Sequence, residues 1–383
     1  MGFAGRIERL PRYLFAELDR KKQQLRSQGV DLIDLSVGDP DLPTPEGIVR
    51  KMAEEVASSR NHRYPDYEGL YEFREAVSRW YGRRFGVELE PASEVMALIG
   101  SKEGIAHIPL AFVDEGDVVL VPEPGYPVYR ASTILAGGTP HPMPLREEKG
   151  FLPDLEAIPT DVAKRAKLMF LNYPNNPTGA VAREEFFREV VAFAREFDLV
   201  VCHDAAYSEL YFEDPPPSFL ATSGAKEVGV EFHSLSKTYR MTGWRIGFVV
   251  GNAEVLQGLG RVKTNIDSGV FNAIQRTAIW ALDNDPETDS WRQVLRSRRD
   301  LMVQGLRELG LRLDPPKATF YLWFRVPEGY SSSSFAERLL DAGVVVTPGA
   351  GFGEHGEGYV RVALTVSEER LREALRRLRG LDL

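Results

Sequence analysis

The chain has 383 residues, 47 Lys and Arg against 56 Asp and Glu (formal net charge −9), and is 43% hydrophobic and 27% charged. That length and balance describe an ordinary globular protein with room for two domains, and an acidic surface without a basic block argues against nucleic acid or an anionic membrane as partner. One cysteine excludes an internal disulfide, and no stretch is apolar enough for a bilayer span or a signal core, so the expected place is the cytoplasm.

In chain order, residues 1–30 read as an arm and a charged helix over 13–28, and 34–40 as a short strand running into a Pro/Gly turn. A helix is expected over 70–85, a strand over 95–99 and a helix over 101–112. Strands follow over 117–121, 168–171, 200–203, 230–234 and 246–250, and 183–197 carries apolar residues at helical spacing. These strands are rich in Val, Ile, Leu and Phe with little alternation, the mark of a sheet covered on both faces, so the reading is an α/β fold with a mostly parallel sheet. Beyond this lie a charged amphipathic helix over 290–309 and a strand over 319–324. The serine run 331–334 leads into a helix, strands occupy 344–347 and 359–364, and a helix over 367–378 closes a smaller α+β unit. The expected division is 1–46 as arm and part of the small domain, 47–275 as the large domain, and 276–383 as the small C-terminal domain.

Four polar strings interrupt these apolar runs. His233-Ser234-Leu235-Ser236-Lys237 leaves one strand and reaches Arg245 just before the next. A lysine where a buried strand ends loses hydration, which lowers its pKa and frees the amine as a nucleophile. Asn172-Tyr173-Pro174-Asn175-Asn176-Pro177-Thr178-Gly179 follows the 168–171 strand, and Asp204 with Tyr207 follows the 200–203 strand. Gly100-Ser101-Lys102 opens a helix, where unpaired N–H groups and the helix dipole favour an anion. Each has an ordinary reading too: a surface lysine, a turn, an N-cap aspartate, a Gly-Ser cap.

In order and spacing the four strings together resemble the fold-type I, pyridoxal-phosphate-dependent class I/II aminotransferases across nearly the whole chain. The resemblance implies pyridoxal 5'-phosphate as cofactor, a large domain with a seven-stranded sheet, and transfer of an amino group from an L-amino acid to a 2-oxo acid. It implies Lys237 as the Schiff-base lysine and proton shuttle, Asp204 as partner of the pyridinium nitrogen, and Tyr207 and Asn176 as donors to the cofactor's 3-oxygen. Gly100, Ser101, Lys102, Ser234 and Arg245 would hold the phosphate, and Tyr126 would stack on the ring. Tyr64 would reach the phosphate of a neighbouring subunit, making the unit a homodimer with shared sites, and 265–269 would line the partner's site. Arg361 would grip the substrate carboxylate, helped by Gly38 and Asn176.

The strings 38–45 and 263–271 look most like the branch that includes the LL-diaminopimelate aminotransferases. LL-diaminopimelate, alanine and aspartate remain open as donors, with 2-oxoglutarate the expected acceptor. A pyridoxal-phosphate C–S β-lyase on the same fold, or a non-catalytic cofactor-binding regulator, would use the same residues. The literal G-x-G-x-x-G at 351–356 is followed by a strand rather than a helix and reads as a hairpin loop. The histidines at 62, 107, 141, 203, 233 and 355 show no metal spacing, so no metal is expected, and Cys202 and His203 read as packing residues.

Overall fold

The computed structural model describes residues 2–11 and 14–381; Tyr13, where the arm helix was expected to begin, lies outside them. The sheet that organises the molecule has seven strands: β2 (Val95–Leu98), β3 (Val118–Glu123), β4 (Thr139–Pro144), β5 (Ala166–Asn172), β6 (Val200–Asp204), β7 (Gly229–Ser234) and β8 (Gly247–Gly251), in the order β2-β8-β7-β6-β5-β3-β4. All neighbours run parallel except β8, which is antiparallel to both β2 and β7. Alternate side chains go to opposite faces, and both faces are buried. Met169 and Leu171 join one core with Phe73 and Phe187, while Leu168 and Phe170 join a second with Ile105 and Leu259. That double burial is why the strands read as apolar runs. Truncating the fully buried Phe170 to Ala would cost about 3–5 kcal/mol.

The edge strand β4 escaped the sequence reading because it is Thr-Pro-His-Pro-Met-Pro. Its prolines alternate, opposite Val119, Val121 and Glu123 of β3. An edge strand needs only every second N–H for its single neighbour, so proline is tolerated at the alternate positions and blocks further pairing on the open side.

A third core gathers the termini. Strands β9 (Tyr321–Arg325), β11 (Thr347–Pro348) and β12 (Tyr359–Ala363) form an antiparallel sheet, and the helices Thr288–Glu308 and Glu368–Leu378 pack Leu295, Met302, Leu371 and Leu375 against it. The stretch 344–347, expected as one strand, divides: β10 (Val344–Val345) pairs in parallel with β1 (Ile33–Asp34), and Thr347 turns to pair with Arg361. The helices Glu46–Val56, Val128–Ala136, Ala253–Ile266 and Asn272–Asn284 complete what the sequence pattern had left unassigned. Among the described residues, no helix is long and apolar enough to cross a membrane.

Candidate active site

The parallel strands β5, β6 and β7 end side by side, with Asn172 in register with Asp204 and Asp204 with Phe232. Ligands of open α/β sheets sit outside such carboxyl ends, and the polar strings converge there. Asn172 accepts from the Asn176 N–H at 2.8 Å and donates from Nδ2 to the Asp204 carbonyl at 2.7 Å, so the Asn-Pro turn is pinned to the next strand.

Asp204 is buried, and burial raises its pKa above the usual carboxylate value. Its Oδ2 accepts from the Tyr129 hydroxyl at 2.8 Å, and Oδ1 from the Ala206 N–H at 3.2 Å. A carboxylate held this way is a receptor for a cationic N–H, because a nearby positive charge would offset its desolvation. Tyr129 is stacked on Phe170 at 5.0 Å and crosses Tyr126 edge-on at 6.1 Å. It lies three residues beyond Tyr126, but only its burial beside Asp204 distinguishes it from a core tyrosine.

Lys237 follows β7 in the short helix Leu235–Thr238, whose start is capped by the Ser234 hydroxyl accepting from the Ser236 N–H. Burial pushes the lysine's pKa down to about 8, against the opposing pull of Asp39. Its Nζ donates to the Gly38 carbonyl at 2.7 Å, and its own carbonyl accepts from the Trp291 indole at 3.3 Å. Such an amine gives up its proton far more readily than a solvated lysine.

Where β2 ends and the next helix begins, a second cradle forms. Gly100 has φ +74° and precedes the helix Ser101–Phe112. A Cβ at Gly100 would fall 2.1 Å from a guanidinium nitrogen of Arg245. Arg245 itself is left-handed (φ 55°), a strained conformation for a side-chain-bearing residue. Its Nη1 donates to the Thr242 carbonyl at 2.9 Å. Lys102 lies 5.6 Å from the Tyr126 ring centre, and burial followed by the Arg245 charge lowers its pKa. Two cations that disfavour one another at a helix N-terminus suit a dianion. With Asp204 at the other end, the cradle fits a ligand bearing a phosphate and a protonated ring nitrogen.

Arg361, on β12, is almost wholly buried rather than facing solvent as an isolated strand arginine would. Its Nη1 donates to Asn176 Oδ1 at 2.8 Å and its Nη2 to the Ser36 carbonyl at 2.6 Å. Its guanidinium carbon lies 4.2 Å from the centre of the Tyr321 ring and 4.8 Å from that of Phe352. Tyr207 meets Tyr321 hydroxyl to hydroxyl at 3.0 Å. Ser36, Tyr321, Phe352 and Trp291 carried no signal in the sequence, since each reads locally as turn or core. A cavity of about 650 Å³ opens beside Lys102 and Tyr126, walled by Glu123, Ser333 and Phe352. Phe352 belongs to the 351–356 hairpin between β11 and β12, whose Phe352 carbonyl accepts from the Gly125 N–H at 2.9 Å.

The structure thus gathers Gly38, Gly100, Ser101, Lys102, Tyr126, Asn176, Asp204, Tyr207, Ser234, Lys237, Arg245 and Arg361 around one end of the sheet. Tyr64 stands apart, 89% exposed. His203 donates from Nδ1 to Glu231 at 2.9 Å and accepts the Tyr173 N–H at 3.2 Å, and Cys202 is fully buried, so both are engaged in packing. Glu103, His107 and Asp267 have ligand atoms within 4.8 Å of one another. The Lys263 ammonium already bonds Glu103 at 2.9 Å and Asp267 at 3.1 Å, which supplies that cluster's positive charge.

Residues 30–378 match the family model "Aminotransferase class I and II". The chain is 57% identical over 382 residues to the LL-diaminopimelate aminotransferase of Syntrophobacter fumaroxidans, covering 99% of this chain and 98% of that one. With the enzyme of the same name from Desulforudis audaxviator it shares 58% over 380 residues, 98% and 97% of the two chains. Substrate-bound BacF from Bacillus subtilis superposes with a TM-score of 0.96 at 39% identity, covering 100% of this chain and 98% of that one. Full-length matches at these levels, on a fold with this sheet, leave one conclusion: the chain belongs to the class I and II aminotransferases, enzymes that use pyridoxal phosphate to move an amino group from an amino acid to a 2-oxo acid.

Proposed function

We propose that the chain is an LL-diaminopimelate aminotransferase working through Lys237, Asp204 and Tyr207, with 2-oxoglutarate as acceptor in a ping-pong cycle. The observation that carries the chemistry is the Lys237 amine, held near pKa 8 and 2.7 Å from the Gly38 carbonyl. The donor rests on whole-length relatives of that name.

Pyridoxal phosphate, when bound, supplies a carbonyl carbon that takes up the substrate nitrogen and a protonated ring that draws electrons from the substrate's Cα. Gly100, Ser101, Lys102, Ser234 and Arg245 would hold its phosphate, Asp204 its ring nitrogen, Tyr207 and Asn176 its 3-oxygen, and Tyr126 its ring face. Arg361 grips the substrate carboxylate through its planar fork, its reach set by Ser36, Asn176 and two aromatic faces. Gly38 brings backbone beside it. Lys237, once its amine is neutral, takes the Cα proton and returns it on the other side of the transfer.

A homodimer with shared sites is supported by the surface that carries Tyr64. Tyr67, Tyr71, Ile266 and Phe271 are also exposed, and a Cβ at Gly269 would lie 2.9 Å from the Asp66 carbonyl, so 64–71 and 265–271 form one patch. A cytoplasmic location is supported by the single, buried cysteine. For the domains, 1–46, 47–275 and 276–383 remain the proposed units. The second border falls inside the helix Asn272–Asn284, whose Ala278 and Ala281 join the larger core, so packing favours a break at that helix's end.

The test is the visible absorption of the holoenzyme titrated with LL-diaminopimelate, aspartate and alanine in turn. Fastest bleaching by LL-diaminopimelate, with recovery on adding 2-oxoglutarate, is expected. A band that no amino acid bleaches, with pyruvate released from cystathionine, would replace transamination by β-elimination.

A further inference from the structure

Tyr321 sits in β9 inside an aromatic run that reads locally as core, and is 2% exposed. Yet each part of it faces a different component of the site. Its hydroxyl meets that of Tyr207 at 3.0 Å. Its ring face carries the Arg361 guanidinium at 4.2 Å. A Cβ on Gly38 would fall 1.9 Å from its hydroxyl, so the peptide that accepts the Lys237 hydrogen bond is pressed against it.

We propose that Tyr321 is a positioning residue that sets two groups at once, its hydroxyl orienting the Tyr207 phenol and its ring face holding the Arg361 guanidinium. This rests on the roles given above to Tyr207 and Arg361. A phenol has one proton. When Tyr207 turns that proton toward the cofactor's 3-oxygen, its bond with Tyr321 must run from the Tyr321 hydroxyl to the Tyr207 oxygen. Hydrogen bonds in such a chain polarise one another by roughly 10–30%, making Tyr207 the stronger donor. The ring face acts separately. The Arg361 guanidinium lies 4.2 Å from the Tyr321 ring centre and 4.8 Å from that of Phe352, so losing the Tyr321 ring removes the nearer of the two aromatic contacts that hold the fork.

Two substitutions in the holoenzyme separate the parts. Tyr321→Phe keeps the ring and removes the hydroxyl; Tyr321→Leu removes both. The first readout is the pH midpoint of the visible cofactor band, measured without substrate. The second is the half-saturating concentration of LL-diaminopimelate for bleaching that band. The Phe variant should move the midpoint upward by about a few tenths of a pH unit, because a weaker Tyr207 donor favours the 3-oxyanion less. Its half-saturation should stay within about twofold of wild type, since the ring remains. The Leu variant should show the same midpoint shift and a half-saturation raised on the order of fivefold. A residue serving only to fill the core would lower the melting temperature and leave both readouts at wild-type values. An unmoved midpoint in the Phe variant, or an unmoved half-saturation in a folded Leu variant, would overturn the assignment. Failure of LL-diaminopimelate to bleach the wild-type band would instead count against the donor, and the pH midpoint would still decide the hydroxyl's part.

Discussion

At the carboxyl ends of β6 and β7, Asp204 and Lys237 lie within a few residues of the strands that aim them. Arg361 is set differently, by Ser36, Asn176 and Tyr321 from three distant stretches of chain and by Phe352 from the loop just before its own strand. The first region is local: strand, turn and the group proposed to react are contiguous, so a short string can both fold and present that group. The second is assembled only when β12 packs beside the β1 segment and β9. Damage to the local region should therefore strike the chemical step, and damage to the assembled region should strike substrate binding.

The sharpest break of that contrast is Lys237→Ala, which should abolish the visible cofactor band and transamination together; turnover at a wild-type rate would sink the assignment. Asp204→Asn should come next. It keeps the shape and the Tyr129 contact but removes the buried charge, with an expected fall in kcat on the order of 10²–10³-fold at nearly unchanged KM. A steady-state comparison that finds KM raised and kcat intact would place Asp204 on the wrong side of the comparison. Arg361→Ala should do the reverse, raising KM by about 10²-fold or more while the cofactor spectrum stays as in wild type. An altered spectrum in that variant would show that the two regions are not separable.

The smallest effect is one of pH. The Lys237 pKa is lowered, so the neutral amine is the major form above about 8 and is lost below it. The rate at which the apoenzyme captures pyridoxal phosphate should accordingly rise with pH through a midpoint near 8. A midpoint close to the 10.5 of an ordinary lysine would mean that burial does not tune this amine.

Much of the sheet was legible because its strands are buried on both faces and so announce themselves by composition alone. What escaped did so for identifiable reasons. Pro140, Pro142 and Pro144 hide the edge strand, since proline at alternate positions is permitted only where one side of a strand is unpaired. The run 344–347 looks continuous, but its halves pair with different sheets, a choice that depends on where Ile33 and Arg361 lie in space. Tyr129 and Tyr321 look like any buried tyrosines, and only their hydroxyl partners, Asp204 and Tyr207, reveal otherwise.

The sequence by itself determined the groups that a short piece of chain can aim. These are the lysine at the end of β7, the aspartate at the end of β6, the Asn-Pro turn after β5 and the glycine that opens the helix at Ser101. In the first three, backbone geometry carries the side chain directly to the sheet's end, and at Gly100 the positive-φ backbone itself opens the helix. The tertiary structure alone decided what surrounds them. A hydroxyl, a ring face or a carbonyl acquires its role from the neighbour brought to within about 3–5 Å, and that neighbour is chosen by packing between separate segments, as when Tyr129 meets Asp204 or Arg361 meets the Ser36 carbonyl.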